Sequence, residues 1–464
     1  MSDAGIAAWG VGIPVWRLDR AMHGAAWDTP ALPGERAAAS GDQDSLALGV
    51  EAALEATRAL GTDQIDFIAF ASTTPPYAEK HAAATIAGVL GRADAMTVDV
   101  TGTLRAGTTA LRAALDAVRA GSARAALVVV SDTRPAEPGT GTEQLFGDGA
   151  AAVVVTADAP VAVLGEASIV EETTAGWRRA DDDYVRSFDA KFETELGYAR
   201  PVERAVKAAL EDAKMTADGI TTFAAYAPDP RTYQATAKRI GFADQRDPLF
   251  TSVGNLGAAH AFVSLAGALD NAEPAQKIVL AASGEGADAL VLEVVGQPPA
   301  PAWRLEEAIG RKRVLASYER YLRARRLLPA DDSEPPSSTI RTWRDRAQML
   351  RIEGVRCTAC GMVQFPANRA CIACSALDQM EPLQLAKTGT VFTFTLDHLV
   401  AGEYLETPVP RAVVDLDGGG RIFVEVTDCE PADVAVGMRV ELTFRLMHEG
   451  AGFKNYYWKA RPAR

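Results

Sequence analysis

A repeat of roughly 150 residues runs through the first part of the chain, and it constrains the fold more than any other feature. In the first copy the helical pattern SLALGVEAALEATRALG leads into the apolar run DFIAFAS; in the second, RPVERAVKAALEDAKM leads into ITTFAAYAP. Farther along, GTTALRAALDAVRAGSARAALVVVSD is matched by GAAHAFVSLAGALDNAEPAQKIVLAASGEG. Each copy reads helix, strand, turn, helix, strand. Wholly apolar strands such as Ala126–Val130 and Ile278–Ala282 alternate with amphipathic helices, as in a parallel or mixed sheet covered by helices on both faces. The run from Phe146 to Val155, FGDGAAAVVV, closes the first copy. The expected fold class is α/β: a duplicated unit of mixed sheets and helices over residues 1–297, with halves of about 1–160 and 161–297.

A duplicated unit of this kind brings two helix starts into one cleft, at strand ends where ligands bind. The first start is DVTGTLRAGTTAL, Asp99–Leu111: a strand ending near Val100, a Thr-Gly-Thr turn, and a helix opening at Ala106-Gly107-Thr108. Such a turn holds one side chain beside backbone N–H groups, which is where a nucleophile or an oxyanion is best served. Here that side chain is Leu104, and its counterpart just before Gly257 in the second copy is Asn255.

The cysteines explain why no nucleophile is obvious. All five, at 357, 360, 371, 374 and 429, follow residue 356, so the duplicated unit has no thiol. The formal charge of −14 gives no basic footprint for a nucleic acid or an anionic membrane. The opening MSDAGIAAWGVGIP has neither a basic flank nor a long apolar core, and no run approaches the roughly 20 apolar residues of a membrane helix, so a cytoplasmic location is expected.

Residues 298–350 read as a linker with helices: PPAPAW, the basic RKRVLASYERYLRARRLL, then the polar PADDSEPPSST. The basic piece is expected to be a solvated amphipathic face. Over 351–380, Cys357-x2-Cys360 and Cys371-x2-Cys374 stand ten residues apart, the spacing of a structural zinc ribbon. Four thiolates leave no open coordination position, so the zinc organises the fold. Residues 381–464 carry short alternating segments (TGTVFTFTLDHLV, PRAVVDLDGGGRIFVEVTD, GMRVELTFRLMH, NYYWKARP) that suggest a small closed barrel of the OB type. Cys429 reads as a small buried hydrophobe.

Taken together, STTPPYAEKHAAATIAGVLG, DVTGTLRAGTTAL, FGDGAAAVVV and the GNLGAAHAFVSLAGALDN run resemble the 3-hydroxy-3-methylglutaryl-CoA (HMG-CoA) synthase branch of the thiolase superfamily. The four-cysteine ribbon, GTVFTFT and GFKNYYWKARP are similar to the zinc-ribbon plus OB-fold domain that accompanies such enzymes, domain of unknown function 35. The resemblance implies a thiolase-like fold that forms a homodimer and handles acyl-CoA, with the OB domain helping to form the acyl-CoA path. It also implies a cysteine nucleophile, a glutamate acid/base and a histidine by the thioester. Position by position these fall on Leu104, Thr73 and Tyr226, whereas the asparagine of the Gly-Asn turn is kept as Asn255.

Leucine cannot form a thioester, so the acyl-enzyme route is closed. A cleft without the cysteine can still hold a CoA thioester, its only expected ligand besides zinc, and polarise the carbonyl through helix-start N–H groups and an amide such as Asn255. That suits retro-aldol cleavage of a 3-hydroxyacyl-CoA, or the reverse. Candidate groups are Tyr226, His260 in the first turn after Asn255, Tyr77 in TPPYAEK, and Asp148 in the GDG turn. His260 is expected to face the cleft as a neutral base. Two alternatives remain open: a condensing acyltransferase acting by direct transfer, and a non-catalytic acyl-CoA-binding subunit for a partner thiolase.

Overall fold

The apolar strands of both copies pair into one nine-stranded mixed sheet. The computed structural model describes residues 4–463 apart from 174, 243, 244, 246, 300, 302, 329–336 and 401–403, so most of PADDSEPPSST lies outside the described residues. Across the sheet the strands run Met96–Thr101, Ile65–Ser72, Ala125–Thr133, Asp148–Ala157, Ala4–Gly12, Val161–Val170, Gly286–Val294, Lys277–Ser283 and Thr222–Ala225. The first five belong to one copy and the last four to the other. The copies meet where Gly5 and Ile6 pair antiparallel with Ala162 and Val161. Gly5 is required at that seam, because a Cβ there would collide with the Val161 carbonyl oxygen.

The order within each copy is the same, read outward from the seam, except that the second copy has no described strand equivalent to Met96–Thr101. An unbroken aliphatic run drives the arrangement: Ala126, Leu127, Val128, Val129 and Val130 are all fully buried, as an inner strand with helices on both faces demands. The helix Ala106–Arg119 buries Ala106, Ala110, Leu111, Ala114, Leu115 and Val118, the spacing of one helical face. Gly107 lets it approach its neighbours: a Cβ there would come within 2.7 Å of the Phe262 ring and 2.9 Å of Val130. Phe262 sits on His260–Leu269, the corresponding helix of the second copy, so the two helices touch near their starts.

By its internal contacts the chain divides into two units, 1–39 with 44–87 and 92–321, and 40–43 with 88–91 and 322–464. Within the basic piece, Arg313–Val314 form a short strand and Tyr318–Ala324 a helix whose tyrosine face is buried: the Tyr318 hydroxyl donates to Glu143 at 3.0 Å, and the Arg36 guanidinium lies 5.1 Å from the Tyr321 ring centroid. The expectation of a solvated face therefore holds on this helix only for residues such as Arg320 and Arg323, which are exposed.

In the second unit, Glu353–Cys357, Val363–Gln364 and Met380–Gln384 form a three-stranded ribbon sheet. Five more strands, Thr388–Asp397, Val409–Leu416, Arg421–Glu425, Arg439–Gly450 and Phe453–Pro462, make the OB barrel, which the bridge from Val426 to Ala460 closes. Its core stacks Phe444 on Tyr456 and sets Trp458 edge-on to Phe444. Cys429 is only partly buried, because it lies in the turn that follows this bridge and not on a strand. Among the described residues no helix is long and apolar enough to cross a membrane.

Candidate active site

The strands Ile65–Ser72, Met96–Thr101 and Ala125–Thr133 run parallel in the first copy, as do Lys277–Ser283 and Thr222–Ala225 in the second. Thr73, Tyr226, Asp132 and the turns bearing Leu104 and Gly284 lie at or just beyond their C-terminal ends, and strand ends of this kind are where α/β sheets place ligands. At the end of Met96–Thr101 the chain turns through Gly102 and Thr103 to Leu104, then enters the helix at Ala106. Leu104 is partly buried against the core. The turn Ser283-Gly284-Glu285-Gly286 is pressed against it, since a Cβ on Gly284 would collide with Thr103 Oγ1 and lie 3.1 Å from the Leu104 nitrogen. Among the described residues neither the Leu104 nor the Glu285 N–H has a hydrogen-bond acceptor, which leaves two donors at this turn for an oxyanion.

Asn255 and His260 are committed elsewhere. The Asn255 amide donates to the carbonyls of Ala227 at 2.9 Å and Pro228 at 3.2 Å, and its Oδ1 accepts the Gly257 N–H at 3.0 Å. Both amide hydrogens are therefore used to fasten the Tyr226–Pro228 segment to the second helix start. His260 is fully buried; its Nδ1 accepts the Leu256 N–H at 3.2 Å and its Nε2 lies 2.7 Å from Asp247 Oδ2. No ring nitrogen is left for a substrate. The expectation of a cleft-facing base at His260 is corrected: the helix start turns the imidazole into the core, against Phe250.

Tyr226 follows the strand Thr222–Ala225 and is buried between rings, edge-on to His260 at 6.4 Å and to Tyr198 at 6.3 Å. Tyr198 is not legible in the sequence as a site residue. It lies in a π-helical turn, Glu193–Ala199, a rare distortion that often marks functional positions. Its hydroxyl is buried with no hydrogen-bond partner among the described residues, and burial holds it protonated well above the usual tyrosine range.

Thr73 stands where the resemblance implies a glutamate, and it serves Asp132. This buried carboxylate accepts from Ser72 Oγ at 2.9 Å, the Thr73 N–H at 2.7 Å, Thr73 Oγ1 at 2.8 Å and Thr74 Oγ1 at 3.1 Å. It also accepts the Ala258 N–H at 2.8 Å, tying the strand ends of the first copy to the helix start of the second. Asp148 is likewise buried and accepts the Ala39 N–H at 2.8 Å. Tyr77 lies in its loop with the Lys80 ammonium 5.4 Å from the ring centroid. The fold thus fastens Asn255 to the segment after Tyr226 and sets the Gly284 turn against Leu104, whereas Asp148 and Tyr77 have contacts of their own.

In the second unit the Sγ atoms of Cys357, Cys360, Cys371 and Cys374 all lie within 4.8 Å of one another. Cys357 and Cys374 are 3.8 Å apart and Cys360 and Cys371 3.6 Å apart, close to the edge of about 3.8 Å that four Zn–S bonds impose on a tetrahedron. The N–H groups of Ala373 and Cys374 donate to Cys371 Sγ at 3.4 and 3.5 Å, which favours the thiolate a metal needs. The donor set fits zinc.

Residues 98–170 match the 3-oxoacyl-[acyl-carrier-protein (ACP)] synthase III family, and residues 383–445 match the ChsH2 C-terminal OB-fold domain. A hydroxymethylglutaryl-CoA synthase of Aeropyrum pernix is 33% identical over 63% of this chain and 85% of its own length. One from Pyrococcus horikoshii is 28% identical over 70% of this chain and 97% of its own. A DUF35 domain-containing scaffold protein of Methanocaldococcus jannaschii is 33% identical over 26% of this chain and 89% of its own. Among solved structures, MvaS in complex with 3-hydroxy-3-methylglutaryl coenzyme A superposes with a TM-score of 0.62 at 18% identity, covering 73% of this chain and 95% of that one.

Proposed function

Because the chain belongs to the hydroxymethylglutaryl-CoA synthase family of thiolase-like condensing enzymes, we propose that its first unit makes or breaks a carbon–carbon bond in an acyl-CoA without an acyl-enzyme. The favoured reaction is retro-aldol cleavage of a 3-hydroxyacyl-CoA, or its reverse. One observation carries this reading: the turn that would hold a nucleophile bears Leu104, yet two N–H donors there, on Leu104 and Glu285, have no acceptor among the described residues. A site that has lost its thiol and kept its oxyanion donors suits enolate chemistry, in which negative charge develops on the thioester oxygen. Tyr226 is assigned to bind the 3-oxygen of the substrate. The four cysteines are assigned to a structural zinc, and a homodimer is the proposed assembly.

Incubating the protein with 3-hydroxyacyl-CoAs of varied branching tests the reading. Wild type should release acetyl-CoA or propionyl-CoA together with an aldehyde or ketone, and Tyr226→Phe should lose most of that activity. Tight binding of every thioester without turnover would instead favour the second reading, a non-catalytic acyl-CoA-binding subunit for a partner thiolase. That alternative draws support from Asn255, whose amide hydrogens are both occupied.

A further inference from the structure

Glu285 lies where no sequence motif drew attention to it, between two glycines at the end of Lys277–Ser283. Its φ is +46°, in the left-handed region that costs a residue with a side chain and that glycine adopts freely. Strain of this kind persists where the surroundings impose it and collects at functional sites. Here the surroundings are explicit. The Glu285 carbonyl accepts the Glu171 N–H at 3.3 Å, Gly284 is packed on the backbone of Thr103–Arg105, and Gly286 has no room for a Cβ, which would collide with the Ile169 oxygen.

The side chain leads back to the same turn. Thr103 Oγ1 donates to Glu285 Oε2 at 2.9 Å, so the carboxylate is held one residue from Leu104 and next to the two unengaged N–H groups. The residue is exposed, and among the described residues no lysine, arginine or histidine pairs with it. An accessible, hydroxyl-anchored carboxylate beside oxyanion donors has the position of a general base.

We infer that Glu285 is the catalytic carboxylate of this site, taking the proton of the substrate's 3-hydroxyl. The inference rests on the retro-aldol reading above. The hydroxyl O–H bond breaks and its proton passes to Glu285; the C3–O bond becomes a carbonyl as the C2–C3 bond breaks. The C2–C3 electron pair becomes the thioester enolate, held by the Leu104 and Glu285 N–H groups. Glu285 then returns the proton to C2, giving the shortened acyl-CoA and an aldehyde or ketone. Atoms and charge balance with no further reactant.

The test is solvent exchange at C2 of acetyl-CoA and propionyl-CoA in D2O, read by mass spectrometry beside the cleavage assay. Wild type should exchange. Glu285→Gln should exchange and cleave roughly a hundredfold more slowly with thioester affinity retained, and Glu285→Asp should recover part of the rate. Glu285→Gly supplies the control for folding: it relieves the left-handed strain, so it should melt at a higher temperature than wild type while exchanging as poorly as Glu285→Gln. Exchange at the wild-type rate in Glu285→Gln would overturn the assignment and leave the retro-aldol reading standing. A wild type that binds thioesters but neither exchanges nor cleaves would overturn both.

Discussion

His260 Nε2 meets Asp247 Oδ2 at 2.7 Å in a region where both side chains are almost wholly buried. The Leu256 N–H can only donate, so Nδ1 carries the lone pair and Nε2 the proton that faces the carboxylate. The pair fastens the segment before Leu249 to the start of His260–Leu269. Replacing His260 by alanine strands the Asp247 carboxylate and the Leu256 N–H together, and should cost about 3 kcal/mol of stability. Urea unfolding of the two proteins measures it; coincident midpoints would refute the structural role.

That result would also show why part of the site is hidden from the sequence. The repeat, the Leu104 turn and the cysteine cluster are legible because each is local: apolar periodicity, a strand–turn–helix, a fixed spacing. The direction of the His260 ring is not, since it depends on Asp247 thirteen positions earlier folding back over it. The commitment of the Asn255 amide is hidden for the same reason, its hydrogens being taken by Ala227 and Pro228. Glu285 and Asp132 do leave a trace. The matched runs ending VVVSD and AASGEG put both beside equivalent strand ends, but only the folded chain brings Glu285 to Thr103.

Lys387 gives a prediction with a pH window. Burial lowers its ammonium from the ordinary 10.5 to about 8, and the Trp458 ring lies 5.2 Å away. The folded state therefore holds fewer protons than the unfolded state between about 8 and 10.5, so stability should rise with pH across that interval. Below it the full cost of the buried charge applies. Lys387→Met should be more stable than wild type by about 2 kcal/mol at neutral pH. The difference should fade as pH approaches 10.5. A gap that does not change with pH would show that the ammonium is not the cause.

The cysteine cluster should hold one zinc per chain, measured by mass spectrometry of the metal. Because the bound ion replaces a hydrophobic core in a ribbon this small, chelation should remove local structure. Cys371→Ser should lower the zinc content and expose the remaining thiols to a thiol reagent. Full zinc occupancy in that variant would mean that the ligand set has been misassigned.

Leu104→Cys puts a thiol back at the start of Ala106–Arg119, in a unit that otherwise has none. The helix start favours the thiolate, so the new cysteine should be alkylated by iodoacetamide at neutral pH faster than an ordinary thiol. Peptide mapping identifies the product without ambiguity, since any modified cysteine before residue 357 must be this one. A CoA thioester bound with its carbonyl at the Leu104 and Glu285 N–H groups would stand in the reagent's path and slow the labelling. Labelling that acetyl-CoA does not slow would place the thioester away from this turn, and the enolate chemistry argued for it would have no oxyanion site.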